Sequence, residues 1–390
     1  MFLMQNSRRF SKNITMWVIF FLICMLAGQA VAAINAAPAV PSVEATAYVL
    51  QDFHSGKVLA EKNSEKKIEP ASLTKMMTVY VVENELKSGN INLSDKVKIS
   101  EKAWRMEGSR MFIEVNSWVT VDDLIKGVII QSGNDASVAL AEFIAGSEEA
   151  FASLMNQYAA KIGLSGTNYV NATGLPHEQH YTTARDLALL SRVIIREYPE
   201  SYKLYSQKEF TYNNIKQYNR NKLLWQDKFV DGLKTGHTES AGYCLAASAD
   251  RDGMRLISVV LGTSSENARS AETQKLLTFG FRFFETHRLY EAGKSLTTAR
   301  IWKGEQDSIS LGLTNDLYVT IPRGQYEQLA ASMSINSQII APAEKGQVFG
   351  RVNIGLNEDV LVQRDLVNLV SVESAGFVSS IIDEVKMFFE

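Results

Sequence analysis

Apolar positions along this 390-residue chain change their spacing several times, and each change marks an element. Residues 47–50 and 57–60 are short apolar runs joined through His54-Ser55-Gly56, which predicts a β-hairpin. Pro70-Ala71-Ser72 then opens a stretch crowded with Leu73, Met76, Met77, Val79, Tyr80, Val81 and Val82. Proline at a first helical position has its φ pre-set and loses no hydrogen bond, so the pattern predicts a buried helix with Ser72 in its first turn. Leu124, Ile125, Val128, Ile129 and Ile130 have helical spacing, as do Ala136, Val138, Ala139, Leu140, Phe143 and Ile144. The polar Ser132-Gly133-Asn134 interrupts these two buried helices. Segments 241–249 and 254–262, preceded by a strand through Lys234, read as antiparallel strands with turns at 237–240 and 250–253. A helix over 273–285 closes the region. Early and late strands around a helical middle imply one sheet built from distant segments, hence an α+β fold.

After His287 the texture changes to short runs at 298–302, 318–322, 333–335, 347–354 and 360–362, which predict a small all-β sandwich. The last stretch, 374–390, puts Phe377, Ile381, Val385, Phe388 and Phe389 near one helical face with Val378 and Ile382 beside it, the pattern of an interfacial amphipathic helix. Asp383, Glu384 and Glu390 against Lys386 make this tail acidic, which predicts repulsion from anionic lipid. At the other end stand Arg8, Arg9 and Lys12, an apolar run over 17–26 and small residues over 27–33. This is the pattern of a secretory signal peptide with Ala30-Val31-Ala32 as cleavage site, its run shorter than the ~20 residues that span a bilayer. The organisation read from sequence is a signal peptide at 1–32, a catalytic domain at 33–285, an all-β domain at 286–372 and an amphipathic helix at 373–390.

A formal charge of −3 leaves no basic footprint, so nucleic acid is not an expected partner. Signal cleavage removes Cys24 and leaves Cys244, which reads as a small core residue of a chain without an internal disulfide. His177 and His180 lie three apart where a zinc helix needs four, and Gly174-Leu175-Pro176 marks a loop, so neither metal nor cofactor is expected.

Candidate chemistry lies in three motifs in one order: Ser72-Leu73-Thr74-Lys75, Ser132-Gly133-Asn134 and Lys234-Thr235-Gly236. Singly they carry little, because Ser64 to Lys67 also fits Ser-x-x-Lys, and Ser11, Ser265 and Ser334 each open a Ser-x-Asn. What separates Ser72 from Ser64 is context, since Ser64 sits in a polar run that reads as a solvated turn. On a helix Ser72 and Lys75 share one face, near an N-terminus that favours negative charge. Lys75 can take the serine proton only if burial or a neighbouring cation lowers its pKa, and Lys234 is a candidate cation. Spacing alone leaves a Ser-His-Asp triad open, for the chain has five histidines. Polar groups between buried helices need partners, which favours a site at Ser132 and Asn134 over a simple helix cap. Along the Lys234 strand, Gly236 permits close approach, and a peptide adding as a further strand would offer its carboxylate to Lys234 and Thr235.

The trio resembles that of the penicillin-recognising serine peptidases and β-lactamases. The longer runs from Pro70 to Met77, Gln131 to Ala136 and Asp231 to Thr238 resemble the low-molecular-mass penicillin-binding proteins of the 5/6 type, D-alanyl-D-alanine carboxypeptidases, over essentially the whole chain. The resemblance implies a β-lactamase-like peptidase domain that cleaves the terminal D-Ala-D-Ala bond of peptidoglycan stem pentapeptides and is acylated by β-lactam antibiotics. It implies Ser72 as nucleophile, Lys75 as base and Ser132 as proton relay to the leaving D-alanine. Asn134 would position Lys75 and the substrate amide, Lys234 would support the electrostatics, and Thr235 would bind the terminal carboxylate with Arg220 nearby. The amides of Ser72 and His237 would form the oxyanion hole. It also implies an exported, periplasmic enzyme attached to the outer face of the inner membrane. The segment 104–112, which borders the site, looks shorter than in some relatives and bears on substrate reach. The nearest rival is a class A β-lactamase, whose deacylating glutamate has no counterpart around 168–173. Endopeptidase or transpeptidase action on crosslinks uses the same site chemistry, and the intact trio speaks against an idle scaffold.

Overall fold

The computed structural model describes residues 39–388, so the signal-peptide segment 1–32 and Phe389 of the terminal helix lie outside the described residues. A five-stranded antiparallel sheet is assembled from β1 (Ala47–Asp52), β2 (Val58–Lys62), β3 (Val230–Thr238), β4 (Gly242–Arg251) and β5 (Met254–Thr263), in the order β2-β1-β5-β4-β3. The distant strands meet as the sequence predicts, with Val49 opposite Val259 and Lys234 opposite Ala246.

Period-two alternation sends each strand's side chains into two different cores. Val49, Leu233, Cys244, Ala246, Ile257 and Val259 face a helical cluster, while Leu50, Leu245, Ala247, Leu256 and Val260 face Leu276, Leu277 and Phe279 of one long helix. The cluster comprises α1 (Thr74–Lys87), α2 (Asn134–Ala145), α3 (Glu148–Ile162) and α4 (Ala184–Glu197). Cys244 is fully buried there, and burial pushes its thiol up to about 11, so it behaves as a small apolar residue.

The long helix, α5, runs over Glu266–Phe283, starting seven residues before the expected 273. Ser265, which matches Ser-x-Asn by chance, is its N-cap: the Ala268 amide donates to Ser265 Oγ at 3.0 Å. The first turns carry Arg269 and Glu272 as buried polar residues, which hides the apolar stripe from a pattern search. Phe284 ends the helix and begins the next strand with no turn residue between them.

Beyond it lie two sheets, one pairing β6 (Phe284–Tyr290) with β9 (Leu317–Pro322) and one in the order β7-β8-β12-β11-β10. Its members are β7 (Ser295–Arg300), β8 (Ser308–Gly312), β10 (Leu329–Ile335), β11 (Val348–Leu356) and β12 (Asp359–Asn368). Ile309, Leu311, Val319, Val352, Ile354 and Leu366 fill the core between them. Sequence reading missed β6 and β8; the alternation Ser308-Ile309-Ser310-Leu311 is too short to stand out from its polar flanks. Asp52, fully buried, ties this region to the hairpin by accepting Ser55 Oγ and Thr286 Oγ1, each at 2.8 Å.

The terminal helix α6 (Phe377–Met387) exposes Phe377, Ile381, Ile382 and Val385. Its two acids have partners that the sequence does not announce. Asp383 Oδ2 accepts the Lys303 backbone amide at 2.8 Å, and Glu384 pairs with Lys303 Nζ at 3.2 Å. Among the described residues no helix is long and apolar enough to cross a membrane.

Candidate active site

Ser72 sits in a single 3-10 turn, Ala71–Leu73, that leads directly into α1. Ala71 takes φ +49°, a left-handed conformation unfavourable for a residue with a Cβ, immediately before the candidate nucleophile. The turn is clamped by two glycines. A Cβ on Gly174, itself at φ +84°, would stand 1.8 Å from the Ala71 carbonyl oxygen, and one on Gly236 would stand 3.1 Å from the Pro70 oxygen. The close approach that Gly236 permits is therefore to the serine turn itself.

Lys75, one helical turn on, is fully buried. Its Nζ lies 3.1 Å from Ser72 Oγ, 2.7 Å from Asn134 Oδ1 and 2.6 Å from the Thr173 carbonyl oxygen. Burial is the main cause that brings this amine down to about 7, with Arg220 pushing the same way and Asp135 and Glu148 opposing. Lys234, the neighbouring cation that the sequence proposed, is itself held well below the ordinary lysine range, by burial first and then by the charge of Lys75.

Ser132 follows a π-helical turn, Gly127–Gln131, and itself takes φ +65°. Its hydroxyl accepts Lys234 Nζ at 2.8 Å, and the same amine donates to the Thr235 carbonyl oxygen at 3.1 Å. Asn134 opens α2 and bridges two sides of the site, since its Nδ2 donates to the Glu107 carbonyl oxygen at 2.6 Å while its Oδ1 serves Lys75. Asp135 holds the bordering loop by accepting the amides of Met111, Phe112 and Ile113 at 2.9–3.3 Å. Lys234, Thr235 and Gly236 lie buried along β3, whose Gly236 carbonyl oxygen accepts Arg269 Nη1 at 3.3 Å; His237 is exposed against Tyr243. Arg220 is exposed and donates from Nε to the Gln131 carbonyl oxygen at 3.3 Å.

The three motifs thus meet around two buried amines, each on a serine hydroxyl. Ser64 does not join them: it is buried in its turn instead of solvated, and its carbonyl oxygen accepts the Arg185 amide. Sequence reasoning missed Thr173, Gly174, Asp135 and Arg269. It set His180 aside as a metal ligand without placing it beside the serine helix, where its Nδ1 accepts the Val170 amide at 3.1 Å, leaving Nε2 to donate to Thr74 Oγ1 at 2.7 Å; burial takes this imidazole down to about 4. Such an amine-and-hydroxyl pair suits acyl transfer. The two carboxylates whose charge reaches Lys75 are both committed, Asp135 to backbone amides and Glu148 to the Ala172 amide and Lys102 Nζ, each at 3.1 Å for Glu148. Neither is placed to direct a water as the β-lactamase alternative requires.

Residues 34–265 match the family model described as D-alanyl-D-alanine carboxypeptidase. The chain belongs to that family. Residues 284–374 of the carboxypeptidase match a second model, the C-terminal domain of penicillin-binding protein 5. The D-alanyl-D-alanine carboxypeptidase DacA of Escherichia coli K12 is 46% identical over 360 residues, covering 90% of this chain and 89% of the relative. The crystal structure of penicillin binding protein 5 from Haemophilus influenzae superposes with a TM-score of 0.83 at 44% identity, over 87% of this chain and all of that one. Penicillin-binding protein D2 from Listeria monocytogenes in its ampicillin-bound form is 31% identical, with a TM-score of 0.57 over 62% of the carboxypeptidase and 100% of that chain.

Proposed function

We propose that this serine-type D-alanyl-D-alanine carboxypeptidase trims peptidoglycan stem pentapeptides through an ester formed at Ser72, and that β-lactam antibiotics acylate the same hydroxyl. The observation that carries the reading is the environment of Lys75 Nζ. A neutral amine has two hydrogens and one lone pair. The two shorter contacts, to Thr173 and Asn134, take the hydrogens, and the 3.1 Å contact leaves the lone pair to receive the Ser72 proton.

Attack on the penultimate D-alanine carbonyl then places negative charge on its oxygen, which the amides of Ser72 and His237 are suited to bind. Ser132 Oγ, polarised by Lys234, passes a proton to the departing amine. Thr235, Lys234 and Arg220 read the terminal carboxylate, and Asn134 orients both Lys75 and the substrate amide. Water entering where D-alanine left hydrolyses the ester by the reverse proton path. In a β-lactam the expelled amine stays tethered by the ring skeleton and obstructs that water, so its ester persists. Incubating the purified protein with a D-alanyl-D-alanine pentapeptide and assaying free D-alanine tests this: wild type should release it, and Ser72→Ala should not.

The reading includes export by residues 1–32 to the periplasm and attachment of α6 to the outer face of the inner membrane. The exposed Phe377, Ile381, Ile382 and Val385 support it, together with the engagement of Asp383 and Glu384 by Lys303.

A further inference from the structure

A cavity of about 510 Å³ lies where the β1–β2 hairpin meets the all-β region, and its lining includes Lys57, Tyr318, Thr320, Val360, Val362 and Arg364. Strands β2 and β1 stand at the sheet edge opposite β3, so the width of the sheet separates this cavity from Lys234. Three cations converge on it. Lys57 Nζ donates to the Thr320 carbonyl oxygen at 3.0 Å. The Arg192 guanidinium of α4 packs on Gly56, where a Cβ would stand 2.9 Å from Nη1, and donates to the carbonyl oxygens of Phe53 at 2.6 Å and His54 at 2.8 Å. Arg364 of β12 donates to the Gln363 carbonyl oxygen at 2.7 Å. All three are thus spent on backbone oxygens, and none has a carboxylate oxygen within 4 Å among the described residues. The acid whose charge reaches Arg192 is Asp52, both of whose oxygens are taken by Ser55 and Thr286. Burial, then the charges of Arg196 and Arg364, hold Arg192 below the ordinary arginine range, and burial does the same to Lys57. Positive charges gathered and partly desolvated without an anion are costly, which calls for an anion from outside the chain. The cations come from three elements, and the wall beside them is apolar, with Val360 exposed and Val362 half-buried. That spread suits several carboxylates carried along one chain better than a single compact anion.

We propose that this cavity is a second binding site for the cell wall, taking the carboxylates of a stem peptide other than the one being cut. The proposal rests on the reading that peptidoglycan stems are the substrate. A stem carries free carboxylates along its length, at its isoglutamyl residue as well as at its end. They lie at Lys57, Arg192 and Arg364, with the apolar part of the stem on Val360 and Val362. No bond is made or broken there. The contact holds polymeric wall against the enzyme while Ser72 acts on a neighbouring stem, and so raises the effective concentration of substrate.

Calorimetric titration of the purified protein with a stem tripeptide, which ends before the D-Ala-D-Ala bond, reads the site. Wild type should bind it saturably, and Arg364→Ala and, separately, Arg192→Gln should each weaken binding at least fivefold. D-alanine release from a free pentapeptide should be unchanged in both variants, which controls for folding, while release from polymeric wall at limiting concentration should fall. No binding by wild type overturns the assignment, and so does equal affinity in wild type and both variants. A tripeptide with its carboxylates amidated that binds wild type as tightly as the acid overturns it without recourse to a variant. Inorganic phosphate that binds as tightly as the tripeptide shows an adventitious ion only, and overturns it too. Wild type that releases no D-alanine from the pentapeptide overturns the Ser72 ester reading, while the tripeptide titration still decides the second site.

Discussion

The carbonyl oxygen of Thr173 accepts Lys75 Nζ at 2.6 Å, closer than the 3.1 Å that separates the same amine from the Ser72 hydroxyl. A backbone acceptor 98 residues away in sequence thus orients this amine. It can do so because Gly174 lets its loop pack directly on the serine turn, where any Cβ would collide with the Ala71 carbonyl.

The first prediction concerns pH. Burial holds Lys75 at about 7, so the amine is neutral and able to accept a proton above that value and a charged donor below it. The second-order rate of acylation by a β-lactam should therefore rise with pH through about 7 and level off above it. One unit below, roughly a tenth of the lysine is unprotonated, and the rate should be about a tenth of its plateau. A rate flat from pH 5 to 9 would remove Lys75 from the role of base.

Asp135 gives a second, sharper test. Its charge favours the protonated form of Lys75, so Asp135→Asn should shift the acylation profile to lower pH. The substitution also turns an amide NH₂ toward backbone donors that the carboxylate now satisfies, at Met111, Phe112, Ile113 and Ala136. Leaving such groups unpaired costs about 1–3 kcal/mol each, so Tm should fall by several degrees. A profile displaced upward would contradict the electrostatic account even if the protein were destabilised.

These two predictions depend on residues that differ in how well the sequence announces them. Ser72, Lys75, Ser132, Asn134 and Lys234 are legible because the chemistry is written in short local motifs and each sits at a change of hydrophobic period. Thr173 is not, since it contributes only a backbone oxygen and any residue type supplies that. The sheet of distant strands was readable from apolar runs bounded by turn residues, whereas β6 escaped because it follows α5 without punctuation. The partners of the acidic tail were not legible for a different reason. Charge counted along a sequence says nothing about partners, and the Lys303 contacts that occupy Asp383 and Glu384 come from a turn some 80 residues earlier.

Those contacts change what the terminal helix should do. With its acids engaged, α6 presents Phe377, Ile381, Ile382 and Val385, each large side chain contributing roughly 1.5–3 kcal/mol if fully buried, less ordering costs. The mature protein should float with anionic vesicles, with little dependence on salt, and removing residues 374–390 should abolish flotation. Equal recovery of both forms in the soluble fraction would refute attachment through this helix.

The covalent ester at Ser72 is the centre of the account, and intact-protein mass spectrometry after exposure to a penicillin reads it directly. Wild type and Ser64→Ala should each gain the mass of one penicilloyl group, mapped by peptide digestion to Ser72 and persisting after free drug is removed. Ser72→Ala should gain none. An adduct of the same mass on Ser72→Ala, or an adduct on wild type that maps to another residue, would contradict it.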